Sequence, residues 1–182
     1  PVDCTKVAIK NLLNKKPDLV LSGINLGANL GNNLIYSGTV SAAYEGTILD
    51  IPSAAISLDS FEGKNFEVAK YAATTIANHL LKHKLPKGTL LNINVPNIGK
   101  KELKGFLITK QGNQSFEDTY EKRTDPRGNS YFWIKGEMIN DDSCVEYDGK
   151  AVACGYISIT PIQFRLTNEP YINQLKEKIL HE

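Results

Sequence analysis

Between Val2 and Val95 the spacing of apolar residues switches repeatedly between a helical and an extended period, and no other feature of the chain restricts its fold as much. Val2, Val7, Ile9, Leu12 and Leu13 predict an opening helix that Pro17 closes. "DLVLSGIN" then reads as a short buried strand, and a Gly/Asn loop leads to a helix over about Val40–Leu49, capped by Ser37 or Thr39. "SAAISL" is the next strand. Val68, Ala69, Ala72, Ala73, Ile76 and Leu80 share one face of a long helix over about Phe66–Lys84. "TLLNINVP" alternates, with Leu91, Ile93 and Val95 on one side and Asn92 and Asn94 on the other. Such alternation implies an α/β fold with a mostly parallel, doubly wound sheet. Because a sheet of this kind normally opens on a strand, a leading strand is expected before Pro1.

From Gly105 the pattern changes. "GFLITKQG", "SYFWIKGEM" and "GYISITPI" are strand-like without helices between them, and Pro126–Gly128 carries a turn signal in a polar span from Gln114 to Asn129. A strand pair with Tyr131, Phe132 and Trp133 exposed needs a surface to pack on. Ile172, Leu175, Ile179 and Leu180 give the tail from Pro170 a helical apolar face with the same need. The expected organisation is a core over residues 1–112, a protruding β-hairpin arm over 113–138, and closing strands with a terminal helix over 139–182.

The 182 residues, 41% hydrophobic and 23% charged, suffice for one globular domain. A net charge of +1, with both signs interspersed, argues against binding a nucleic-acid duplex or a membrane surface. Three widely spaced cysteines point to a reducing cytoplasm. Of these, Cys4 and Cys154 read as small buried hydrophobes and Cys144 as an exposed thiol.

The loop between Gly23 and Ser37 leaves the carboxyl end of a parallel strand, which is where ligands bind in open α/β sheets. It is rich in Gly and Asn and contains no Lys or Arg. Backbone N–H groups of Gly38 and Thr39 at a helix start, with the hydroxyls of Ser37 and Thr39, favour a phosphate. Without a basic residue, a metal ion is expected to supply positive charge, and Asn25 can offer its amide oxygen to Mg2+ or Mn2+. The competing reading makes Asn25, Asn29, Asn32 and Asn33 simple turn formers.

Several other groups read as structural. His79 and His83, one helical turn apart, are expected to face solvent, and His181 to lie on the surface or at a subunit contact. Asp141 and Asp142 in "INDDS" read as a solvated turn. Arg123, Asp125 and Arg127 fit either an intersubunit arm or an ordinary hairpin with a salt bridge.

"PVDC", "PDLVLSGINLGANLGNNLIYSGTVSAAYEG", "LLNINVP", "DPRGNSYFWIKG" and "GYISITPI" together resemble the SurE family of metal-dependent nucleotidases, in the same order from Pro1 to Ile162. The resemblance implies a Rossmann-like three-layer sandwich and a phosphatase acting on nucleoside 5′- and 3′-monophosphates. It implies a divalent ion, Mg2+ or Mn2+ with Ca2+ as a crystal substitute, ligated by Asn25. It also places Ser37, Gly38 and Thr39 at the phosphate, and the arm and tail helix in a homodimer or homotetramer. In the family, an acidic metal-binding pair and a serine ligand precede the motif matched by Pro1, so no catalytic residue is expected within this chain. The alternative is therefore a catalytically incomplete oligomerising or nucleotide-binding module.

Overall fold

The computed structural model describes residues 1–62 and 65–180, so His181 lies outside the described residues. The first helix is α1 (Val2–Val7), continued by a π-helical turn, Ala8–Leu12. Strand β1 (Val20–Leu26) leads through a 3-10 turn, Gly31–Tyr36, to α2 (Gly38–Ile48). Then come β2 (Ser53–Asp59), α3 (Glu67–Lys82), β3 (Thr89–Pro96) and β4 (Phe106–Ile108). The remainder comprises β5 (Ser115–Thr124), β6 (Ser130–Ile139), α4 (Asp148–Ala153), β7 (Ile157–Gln163) and α5 (Glu169–Leu180).

Five strands form the central sheet in the order β1-β2-β3-β7-β4. All its pairings are parallel except β3 with β7, so the expected mostly parallel α/β sheet is present. The alternation of β3 shows how its two faces are used. Leu91, Ile93 and Val95 join Val68, Ala69, Ala72, Ile76 and Leu80 of α3 in one core cluster. On the opposite face Leu90 packs with Val40 and Ala43 of α2, and Asn92 and Asn94 share this face further along the strand. The α2 face is thus apolar at the start of β3 and polar at its carboxyl end.

Helix α2 sits close to the sheet because its inner residues are small. Ala42, Ala43 and Gly46 are buried, and α1 lies on its outer side without burying any residue of its own. Cys4 is consequently exposed and Cys154 only half-buried, contrary to the expectation that both fill the core; Cys144 is exposed as expected. His79 and His83 stack at 4.7 Å on the exposed end of α3.

The arm is the two-stranded sheet β5–β6, in register from Ser115 opposite Ile139 to Thr124 opposite Ser130. Asp125 closes its turn, accepting the N–H groups of Arg127 and Asn129 at 2.8 Å each, with Gly128 at φ +87°. Glu121 accepts from Arg123 at 2.9 Å and pairs with Lys135, which holds its carboxyl down at about 2. The Arg123 guanidinium lies 5.1 Å from the centre of the Trp133 ring. Helix α4 corrects the expectation that no helix separates the last strands. At six residues it is too short to show a period, and it forms because Asp148, Gly149, Ala151 and Val152 are buried against β3 and β7.

Gly46 marks the tightest approach of α2 to the sheet. A Cβ there would collide with Ser53 Oγ and come within 2.9 Å of Val20 Cβ. In an open helix Gly→Ala stabilises by about 1 kcal/mol, whereas overpacking costs about 1–3 kcal/mol. Gly46→Ala is therefore expected to lower the urea midpoint without changing the slope. A raised midpoint would show that α2 can lift off.

Candidate functional site

The candidate site begins with a break in the ladder. Gly23 pairs with Ile56, but a bulge shifts the register so that Asn25, not Ile24, pairs with Ser57. Gly23 holds φ +125°, and any Cβ there would run into the Ile56 carbonyl, so only glycine accommodates the bulge. Asn25 Nδ2 donates to the carbonyls of Leu26 (3.0 Å) and Gly27 (2.9 Å). This fixes the amide with its oxygen inward, where Oδ1 accepts from Ser57 Oγ at 2.7 Å and from Asn29 Nδ2 at 3.3 Å.

Asn29 is gripped on every side. Its N–H donates to Asn94 Oδ1 at 2.8 Å, and its carbonyl accepts from Asn92 Nδ2 at 2.9 Å and Asn94 Nδ2 at 3.1 Å. Its side chain donates to Ser57 Oγ at 2.6 Å. Ser57, Asn92 and Asn94 are all fully buried, and a buried amide costs free energy unless it is bonded. The loop from Gly27 supplies those bonds. One atom is left over: Asn92 Oδ1 has no hydrogen-bond partner among the described residues.

A second clamp holds the next residues. Asp148, fully buried at the start of α4, accepts from the N–H groups of Gly31 (3.1 Å), Gly112 (3.0 Å) and Gly149 (2.8 Å). Burial raises its pKa above the usual carboxylate value, against the pull of the three donors. Gln111 Nε2 donates to the Gly31 carbonyl at 3.0 Å and Asn32 N–H to the Gln114 carbonyl at 2.8 Å. Asp142 is buried as well and accepts from Asn113 N–H at 3.1 Å and 3.2 Å through its two oxygens. The expectation of a solvated turn therefore holds for Asp141, which is exposed, and fails for Asp142.

The second group expected at the site lies at the start of α2. Ser37 is the residue that caps the helix: its Oγ accepts from Val40 N–H at 3.1 Å, which leaves its own hydrogen to donate. Gly38 and Thr39 open the helix, where the first N–H groups lack intrahelical acceptors. Gly38 also packs under the ring of Pro1. Asn25 and the Ser37–Thr39 group both stand at the carboxyl end of the sheet, since α2 runs back antiparallel to β1. No hydrogen bond joins the two among the described residues.

The expected metal finds an incomplete set here. The Asn25 amide oxygen already accepts two hydrogen bonds, the groups around it are neutral, and no cluster of three or more His, Cys, Asp or Glu suited to an ion occurs among the described residues. A hard divalent cation takes about six oxygens, with carboxylates among them. These residues alone do not fit it.

Beside the loop is a cavity of about 270 Å3, whose wall includes Ala28, Leu30, Asp59, Phe61, Gln114 and Asn140. A larger groove, about 970 Å3, runs between α2 and β7, is mainly apolar, and includes none of Asn25, Ser37, Gly38 or Thr39 in its wall.

Residues 1–118 match the family profile described as "Survival protein SurE". The chain belongs to the SurE family. It is 47% identical over 178 residues to a 5′-nucleotidase SurE of Carboxydothermus hydrogenoformans, covering 97% of this chain and 67% of that protein. The corresponding figures for a 5′-nucleotidase SurE of Thermosipho africanus are 44% identity over 178 residues, with coverage of 98% and 70%. The crystal structure of the SurE protein from Aquifex aeolicus superposes with a TM-score of 0.82 at 40% identity, covering 100% of this chain and 73% of that one. Membership accounts for the fold expected from the sequence motifs.

Sequence reading singled out Asn25, Ser37, Gly38 and Thr39 but not Ser57, Asn92, Asn94 or Asp148, which hold the SurE loop in place. One signal was visible: two asparagines alternating with apolar residues on a buried strand require partners. Replacing Asp148 by Asn keeps the shape but turns one oxygen into a donor facing a backbone N–H. Asp148→Asn is expected to cost about 1–3 kcal/mol in urea unfolding and to speed amide exchange at Gly31. Unchanged exchange at Gly31 would remove Asp148 from the loop clamp.

Proposed function

We propose that the protein is a nucleotidase, a phosphomonoesterase that converts nucleoside 5′- and 3′-monophosphates to nucleoside and phosphate. The observation that carries this reading is the start of α2, where Ser37 caps the helix yet keeps a hydroxyl hydrogen and Gly38 and Thr39 present their N–H groups. The enzymatic name shared by the curated relatives supports it. It also disfavours the alternative of a module that only binds or oligomerises.

In this reading the phosphate of the substrate sits at the helix start. Gly38 and Thr39 N–H groups and the Ser37 and Thr39 hydroxyls bond its equatorial oxygens, and the helix dipole favours the charge that gathers there. Water then attacks phosphorus in line as the nucleoside leaves. The clamps on Asn29 and Gly31 keep the loop from shifting under the substrate. His79 and His83, at the opposite end of the sheet where α3 runs out toward β3, take no part.

Divalent-metal dependence remains part of the proposal: Asn25 would contribute a single amide-oxygen ligand to Mg2+ or Mn2+, and the carboxylates that such an ion needs are not supplied by the residues around it. We also assign the protein to a reducing cytoplasm, supported by its three free cysteines. Among the described residues, no helix is long and apolar enough to cross a membrane. A homodimer or homotetramer is the proposed assembly, supported by Phe132, Trp133 and Ile134 on the arm and Ile179 on α5, each more than half exposed.

Phosphate release from 5′-AMP and 3′-AMP, measured with and without added Mn2+, tests this reading. Ser37→Ala is expected to cut kcat about 100-fold, while loss of the cap alone costs about 1 kcal/mol of stability. A Ser37→Ala protein that is less stable but equally fast would move the phosphate elsewhere.

A further inference from the structure

The cavity of about 270 Å3 adjoins the candidate phosphate loop but is used by nothing described above. Its wall has the composition of a ring-binding slot. Phe61, 83% exposed, lies against Gly27, where a Cβ would sit 2.9 Å from its Cε1; with φ +89°, that position suits glycine alone. The aromatic ring is therefore held by the backbone on one side and open on the other. Such a surface buries a flat partner well.

The polar groups in the wall are unspent. Gln114 is 7% exposed, and its side-chain amide forms no hydrogen bond among the described residues. Gln114 lines the cavity, and its amide is free to bond a ligand there. Its Oε1 and the Nδ2 of Asn140 crowd the Cα of Gly149, where any Cβ would lie within 2.7 Å of that Nδ2. Asn140 Oδ1 is already occupied by Asp142 N–H at 3.1 Å, which leaves its Nδ2 to donate. Asp59, the last residue of β2, brings a carboxylate to the same cavity.

We propose that this cavity is the nucleobase subsite: Phe61 stacks on the base, Asp59 accepts its N–H groups, and the Gln114 amide bonds its acceptor edge. Guanine fits this set best, because its ring N–H and adjacent amino group can reach a single carboxylate together while its oxygen accepts from an amide. The location is consistent with one ligand bridging both places. Ala28 and Leu30 of the cavity wall flank Asn29, whose side chain reaches Asn25. The inference rests on the nucleotidase reading and adds specificity to it.

The test compares 5′-GMP with ribose 5-phosphate, which carries the phosphate but no base. In Phe61→Ala and in Asp59→Asn, the ratio of kcat/KM for 5′-GMP to that for ribose 5-phosphate is expected to fall about tenfold. Phe61 is exposed, so its replacement leaves the core intact. A ratio equal to that of the unaltered protein in both variants overturns the proposal. If the unaltered protein releases phosphate from neither compound, the nucleotidase reading fails and a guanosine titration followed by amide NMR decides the inference by itself. Saturable shifts at Phe61, Gln114 and Gly149 that vanish in Asp59→Asn support it, and shifts absent or confined to other residues refute it.

Discussion

Asn92 and Asn94 hold the backbone of Asn29 between them, and the geometry of the whole loop follows from that grip. Two fully buried amides on one strand take up both the N–H and the carbonyl of a single residue across 65 and 63 positions of chain. Each such bond adds only about 1 kcal/mol, but leaving a buried amide unpaired costs about 1–3 kcal/mol. The asymmetry matters more than the sum. The loop cannot leave its floor without stranding Asn92, Asn94 and Ser57 together.

From this anchor the remaining geometry propagates in both directions. Toward β1, Asn29 and Ser57 fix the Asn25 oxygen, helped by the bulge that places Asn25 opposite Ser57. Toward α2, Gly31 enters the Asp148 clamp, and the 3-10 turn carries the chain to its cap at Ser37. The phosphate site proposed at the start of α2 requires a helix start that is held still, because its donors work by being in place beforehand. Here the stillness comes from neutral amides and one buried carboxylate, with no basic side chain in the loop.

The periodic elements were legible in the sequence. The apolar face of α3 and the alternation of β3 appear in the residues as they do in the structure, and Ser37 lies between a Gly/Asn loop and a helix where a cap belongs. What escaped was long-range. Nothing near Asn94 in the chain points to Asn29, and nothing near Asp148 points to Gly31, 117 residues away. Asp142 looked like a solvated turn because its neighbours are polar, but its environment is set by Asn113 from another segment. Helix α4 was hidden by its brevity and Cys4 by the amphipathic look of a helix that rests on α2 instead of entering the core.

The claim that the asparagine floor fixes the loop is most directly tested by amide hydrogen exchange at Asn29 in the unaltered protein. Its N–H, bonded to a fully buried side chain, should exchange as slowly as that of Ile93 in the centre of β3. Exchange as fast as that of Gly128, at the tip of the exposed arm, would contradict the account and return the loop to an ordinary mobile turn.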